Sequence, residues 1–122
     1  MLIAVDFDGV ISHYKGFQGR RNFEPPVAGV AQALATFQNH GHKILINTTR
    51  LDLDAVEQYL IAWGIPYDYL NDSPKNREHK LHPAKQMADV YIDDRSICFQ
   101  GSWDEEFIQR VLSFKPWWKK EK

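Results

Sequence analysis

Three short apolar runs, Leu2–Val5, Ile44–Ile46 and Val90–Ile92, each stop at side chains that carry chemistry. Asp6 and Asp8 follow the first, Thr48, Thr49 and Arg50 the second, and Asp93 and Asp94 the third. Runs this short and this uniformly apolar suit strands covered on both faces, as in a parallel sheet. Between the first two runs, Val27, Val30, Ala31, Leu34 and Phe37 recur at helical spacing behind Pro25-Pro26 and stop at Gly41. After the second run, Asp52 and Asp54 occupy a first helical turn, where negative charge is favourable. Val56, Tyr59, Leu60 and Trp63 then form a stripe expected to be buried, ended by Gly64 and Pro66. Alternating strand and helix signals predict an α/β fold: a three-layer, Rossmann-like parallel sheet with helices on both faces.

The remaining segments read less sharply. Residues 12–26 form a polar, glycine-bearing flap carrying Lys15, Arg20 and Arg21. Tyr67–Leu70 is a weaker strand, and Asn71–Lys80 has no periodicity and is expected as surface loop. A short helical turn is expected around Pro83–Met87. A last helix starts near Ser102, with Glu105 three residues on as a capping box, and buries Phe107, Val111 and Phe114. The tail from Pro116, with Trp117 and Trp118, is expected at the periphery, and Cys98 in the core.

With 122 residues the chain is expected to form one domain, and a hydrophobic fraction of 43% is too high for disorder. Fifteen basic and sixteen acidic side chains leave a net charge of −1, so no bulk field holds a membrane or long nucleic acid, and any phosphate recognition must be local. The single cysteine cannot form an internal disulfide, and no apolar run approaches the ~20 residues needed to span a bilayer. Asp6 breaks the first apolar run and no basic region precedes it, unlike a signal peptide, so the expected compartment is the cytoplasm.

In an open parallel sheet, ligands bind at the carboxyl ends of the strands, where these polar groups fall. Carboxylates of Asp6 and Asp93 or Asp94 brought to about 5 Å repel by roughly 3 kcal/mol per pair at an effective dielectric of 20, so such a cluster calls for a cation. An all-oxygen ligand set favours Mg2+ over zinc, and the five histidines show no zinc-type spacing. Beside Mg2+, Asp6 suits a nucleophile toward phosphorus. Asp8 returns to the same face two residues on and, with a raised pKa, suits the general acid/base. Gly9 permits a turn at once after the pair. Thr48 supplies a hydroxyl to a phosphate, helix-start N–H groups supply further donors, and Lys85 balances charge.

This set resembles the haloacid dehalogenase (HAD) superfamily of phosphohydrolases: Asp6-Phe7-Asp8-Gly9-Val10 as first motif, Thr48 as second, Lys85 as third and Asp93-Asp94 as fourth, in family order across residues 1–95. The resemblance implies a Mg2+-dependent phosphomonoesterase. Asp6 is then the nucleophile, Asp8 the acid/base, and Thr48 and Lys85 the phosphate ligands. Asp93 or Asp94 binds the metal with Asp6 and the Asp8 carbonyl, and Thr49 is the alternative hydroxyl. An acid at Asp8 fits the phosphatase and phosphomutase branches rather than dehalogenases or ion-pumping ATPases. The intervals from Asp8 to Thr48 and from Thr48 to Lys85 are filled by the elements above, so the likeness is to capless members.

The implied partner is a phosphorylated small molecule, with polynucleotide ends and homo-oligomerisation left open. Gly9, Thr49, Arg50, Arg20 and Arg21 are expected to meet the substrate, with Lys15, Lys75 or Arg77 as further contacts to the leaving group. Two other readings compete: a binding or regulatory protein of the same fold without turnover, and a signalling receiver. The receiver fits poorly because its acceptor Asp lies on the third strand, where this chain has Tyr67–Leu70.

Overall fold

Alternation of apolar side chains along the three strong runs decides which face each residue buries. The structure, a computed structural model, describes residues 1–17, 19 and 22–119. It contains β1 (Leu2–Asp6), α1 (Val30–Asn39), β2 (Lys43–Asn47), α2 (Leu53–Ala62), β3 (Tyr69–Leu70), α3 (Pro74–His79), β4 (Val90–Ile92) and α4 (Glu105–Leu112). The strands make one all-parallel sheet in the order β3-β2-β1-β4. No cap domain interrupts the described elements.

Register sets the two faces. Ile3 pairs with Ile44 and Val5 with Ile46, and this face packs with Leu34 of α1 and Val56, Tyr59 and Leu60 of α2 into the main core. Ala4 pairs with Leu45 on the other face, where Leu2, Ala4 and Leu45 are buried against Tyr69 and Ala88. Right-handed crossovers that step the same way, β1 to β2 to β3, put α1 and α2 on one face. The chain then returns past β1 to lay down β4, so residues 71–89, with α3, cross the opposite face.

Local signals account for the helix ends. Asp52 caps α2 by accepting the N–H of Ala55, and Asp104 caps α4 by accepting that of Phe107. The cap of the last helix therefore lies two residues beyond Ser102. The stretch expected as surface loop holds α3, capped by Ser73 with Pro74 in its first turn. Its buried residue, Asn76, serves hydrogen bonds rather than apolar packing: its Nδ2 donates to the carbonyls of His82 and Lys85, and its Oδ1 accepts from Met87 N. Segment 83–87 is thereby held as a turn without helix.

Three burial expectations fail. Trp63 lies past the end of α2 and is 54% exposed. Cys98 is exposed. In α4 no residue is buried: Val111 is exposed and Phe107 half-buried, and Phe114, just past the helix, is exposed as well. The sequence pattern marks an apolar stripe on a helix but not whether the fold brings a surface to meet it. Among the described residues no helix is long and apolar enough to cross a membrane.

Candidate metal and phosphate site

The sheet reverses its direction of growth at β1, with β2 on one side and β4 on the other, and ligands collect at such switch points. There Asp6 at the end of β1 meets Asp93 and Asp94, which follow β4. One oxygen from each of the three lies within 4.8 Å of the others. Burial first, then the contact with Asp94 and the charge of Asp93, push the Asp6 carboxyl up to about 8, against a pull downward from the Phe7 N–H that it accepts at 2.8 Å. Asp94 Oδ1 is buried with no hydrogen-bond partner. Crowded acids, a retained proton and an orphaned carboxylate oxygen together fit an all-oxygen divalent-ion site, with Asp6, Asp93 and Asp94 as the residues able to hold the ion.

The same cavity, about 490 Å3, is bounded by Asp6, Asp8, Thr48, Thr49, Asp93 and Asp94. Thr48 is buried and locked to Asn71, whose Oδ1 accepts Thr48 N–H at 2.8 Å and whose Nδ2 donates to Thr48 O at 2.7 Å. Its Oγ1 accepts the Arg50 N–H at 3.1 Å, which leaves the hydroxyl proton to donate. Thr49 is exposed on the same wall. Gly9 adopts φ +83, a left-handed turn that an L-residue enters only with strain, and carries the chain away behind Asp8.

Asp8 lines the cavity with a partner that the sequence did not reveal. Arg50 donates to both of its oxygens, Nε to Oδ2 at 2.9 Å and Nη2 to Oδ1 at 2.7 Å, so the carboxylate is held as an acceptor. Arg50 is accordingly turned away from a substrate role. Its side chain is 6% exposed, it donates to the flap carbonyls of Gly19 and Asn22, and it lies over the Phe23 ring. The signal that would have found this pair is absent from the sequence, since the two residues stand 42 positions apart.

Lys85 departs from expectation. It is exposed, its Nζ sits over the Tyr91 ring at 5.8 Å, and it lines an adjoining depression that shares Asp93, Ala84 and Ser96 with the Asp6 cavity. Its neighbours Ala84 and Gln86 line the Asp6 cavity, but Lys85 does not. Among the described residues, the cation that lines that cavity is Arg95, just past the acidic pair, which sequence reasoning passed over. Arg20 and Arg21 lie outside the described residues. Lys15 pairs with Glu24, Lys75 with Asp89 and Arg77 with Asp72, so these three expected leaving-group contacts are engaged elsewhere.

The tail also reverses its expectation. Pro116 is buried, Trp117 Nε1 donates to Gly9 O at 2.7 Å, and Trp118 Nε1 donates to Asp94 Oδ2 at 2.5 Å. An indole has an apolar body and one donor, and both tryptophans use that donor on the two loops that carry the acids.

Over 92% of its length the chain is similar to a solved structure of a conserved protein from Bacteroides thetaiotaomicron, with 26% identity and a TM-score of 0.65 across 88% of that protein. No protein-family model matches the chain, and no curated protein does.

Proposed function

We propose that this chain is a Mg2+-dependent phosphatase of the capless HAD type, hydrolysing a phosphomonoester through a phosphorylated Asp6. The observation that carries the reading is the meeting of Asp6, Asp93 and Asp94 within 4.8 Å at the switch point of a parallel sheet, beside Asp8 and the buried Thr48. Bound there, Mg2+ would neutralise phosphate oxygens and the acidic cluster and so admit an anion to an anionic pocket.

In the first half-reaction an Asp6 carboxylate oxygen attacks phosphorus, a P–O(Asp6) bond forms and the P–O(ester) bond breaks. The leaving oxygen takes a proton from Asp8, while the Thr48 hydroxyl donates to a phosphoryl oxygen. In the second half, Asp8 takes a proton from water, the water oxygen bonds to phosphorus and the P–O(Asp6) bond breaks, which restores Asp6 and releases inorganic phosphate. The Arg50 fork holds both Asp8 oxygens and so fixes the position of the carboxyl beside the cavity. Arg95 takes the phosphate-facing place that the resemblance gives to Lys85.

The test is phosphate release from a panel of phosphomonoesters with and without Mg2+, with Asp6→Asn as blank. Mg2+-dependent turnover that falls at least about a thousandfold in Asp6→Asn is expected. Turnover that survives chelation of divalent ions would overturn the reading. A chain that binds Mg2+ and phosphate analogues but turns over none of the panel would favour a binding protein on the same scaffold.

A further inference from the structure

Trp118 meets the acidic cluster from the far end of the chain, 24 residues beyond its partner Asp94. Its ring is held on two sides, edge-on against Tyr14 with centroids 4.8 Å apart and beneath the Arg95 guanidinium at 5.0 Å. Trp117 fixes the neighbouring backbone by donating to the Gly9 carbonyl, and its ring packs on His13 at 5.8 Å. The fit is close: a Cβ on Gly9 would clash with the Asp94 carboxylate and come within 2.9 Å of Trp118 Nε1. The Asp94 carboxylate is thus divided. Oδ2 is taken by the indole, the carboxyl also meets Asp6, and Oδ1 is buried with no hydrogen-bond partner among the described residues.

We propose that Trp118 is a positioning residue for the metal site, fixing the Asp94 carboxylate by its indole N–H so that Oδ1 is left for a divalent cation, with Trp117 holding the segment in place. The inference rests on the metal reading above but goes beyond it, because it assigns the carboxy-terminal segment to the site. A carboxylate on a loop after a three-residue strand has several staggered rotamers open to it. The indole bond selects one before any ion arrives. Hydrogen-bonded partners of metal ligands characteristically change ion affinity by ~10–100-fold when removed.

The experiment measures Mg2+ binding to the full chain by calorimetry, for wild type, Trp118→Phe and, as control, Trp63→Phe. Phenylalanine keeps an aromatic ring facing Tyr14 and Arg95 while deleting the donor together with part of the indole's volume. The expected result is Mg2+ binding weakened about 10–100-fold in Trp118→Phe, with a cooperative melt retained, and unchanged in Trp63→Phe. Equal affinity in Trp118→Phe and wild type overturns the role of Trp118 and leaves the metal reading standing. A wild-type chain that takes up no Mg2+ overturns both. Should Trp118→Phe lose its melt, the wild-type indole N–H resonance of Trp118 decides, assigned by elimination from Phe variants of the other tryptophans. A shift on Mg2+ addition supports the proposal, and an unmoved resonance in a chain that binds Mg2+ overturns it.

Discussion

Arg50 holds Asp8 through two parallel hydrogen bonds of 2.9 and 2.7 Å, and the same guanidinium donates to the carbonyls of Gly19 and Asn22. One planar cation therefore joins the acid/base candidate after β1, the hydroxyl-bearing turn after β2 and the flap. A bidentate pair fixes angle as well as distance, which a flexible ammonium does not.

Arg50→Lys keeps the charge and loses the fork. It is expected to lower kcat about a hundredfold while KM moves little, because Asp8 is then misplaced relative to the reacting oxygen. Steady-state kinetics check this, and unchanged kcat would mean that Asp8 needs no such support.

The Asp6 carboxyl titrates near 3.8 in the unfolded chain and near 8 in the metal-free fold. Between those values the fold holds a proton that the unfolded chain has lost, so this group makes stability fall as pH rises through that window. Melting temperatures of metal-free protein from pH 5 to 8 are expected to decline more steeply in wild type than in Asp6→Asn. Mg2+ displaces the proton, so its affinity is expected to rise with pH and level off above about 8. Calorimetry in buffers of different ionisation enthalpy is expected to register the released proton.

At φ +83, Gly9→Ala meets strain of about 1–2 kcal/mol before any clash is counted. Its methyl group would also displace Asp94 and crowd Trp118 Nε1. The expected outcome is a lower melting temperature together with loss of Mg2+ binding, read by thermal melts and calorimetry on the same sample.

Lys85 and Arg95 separate two assignments of the phosphate cation. Arg95→Ala is expected to raise KM about tenfold, the worth of one charge-assisted hydrogen bond. Lys85→Ala, at an exposed position over Tyr91, is expected to change kinetics by less than about twofold. The opposite ranking would return the role to Lys85.

Legibility followed the physical range of each signal. The runs that became β1 and β2 were readable because an apolar strand covered on both faces has few other places to go; β4 is instead an edge strand with Val90 and Tyr91 exposed, and all three polar ends marked where a site forms. The α3 start was written in Ser73-Pro74, but the helix is short and polar and shows no apolar period, so periodicity missed it. In α4 the period was present and the burial was not, since Val111 and Leu112 meet no covering surface.

The sequence by itself determined the parallel sheet, the helices α1 and α2 between its first three strands and the candidate acids and hydroxyls at the strand ends, because apolar period, caps and breakers act over a few residues. Only the tertiary structure decided the partners: Arg50 on Asp8, Arg95 rather than Lys85 at the cavity, Trp118 on Asp94. Those choices depend on where strand order and crossover handedness deliver distant polar side chains, and on which buried groups must then satisfy one another, which no local pattern encodes.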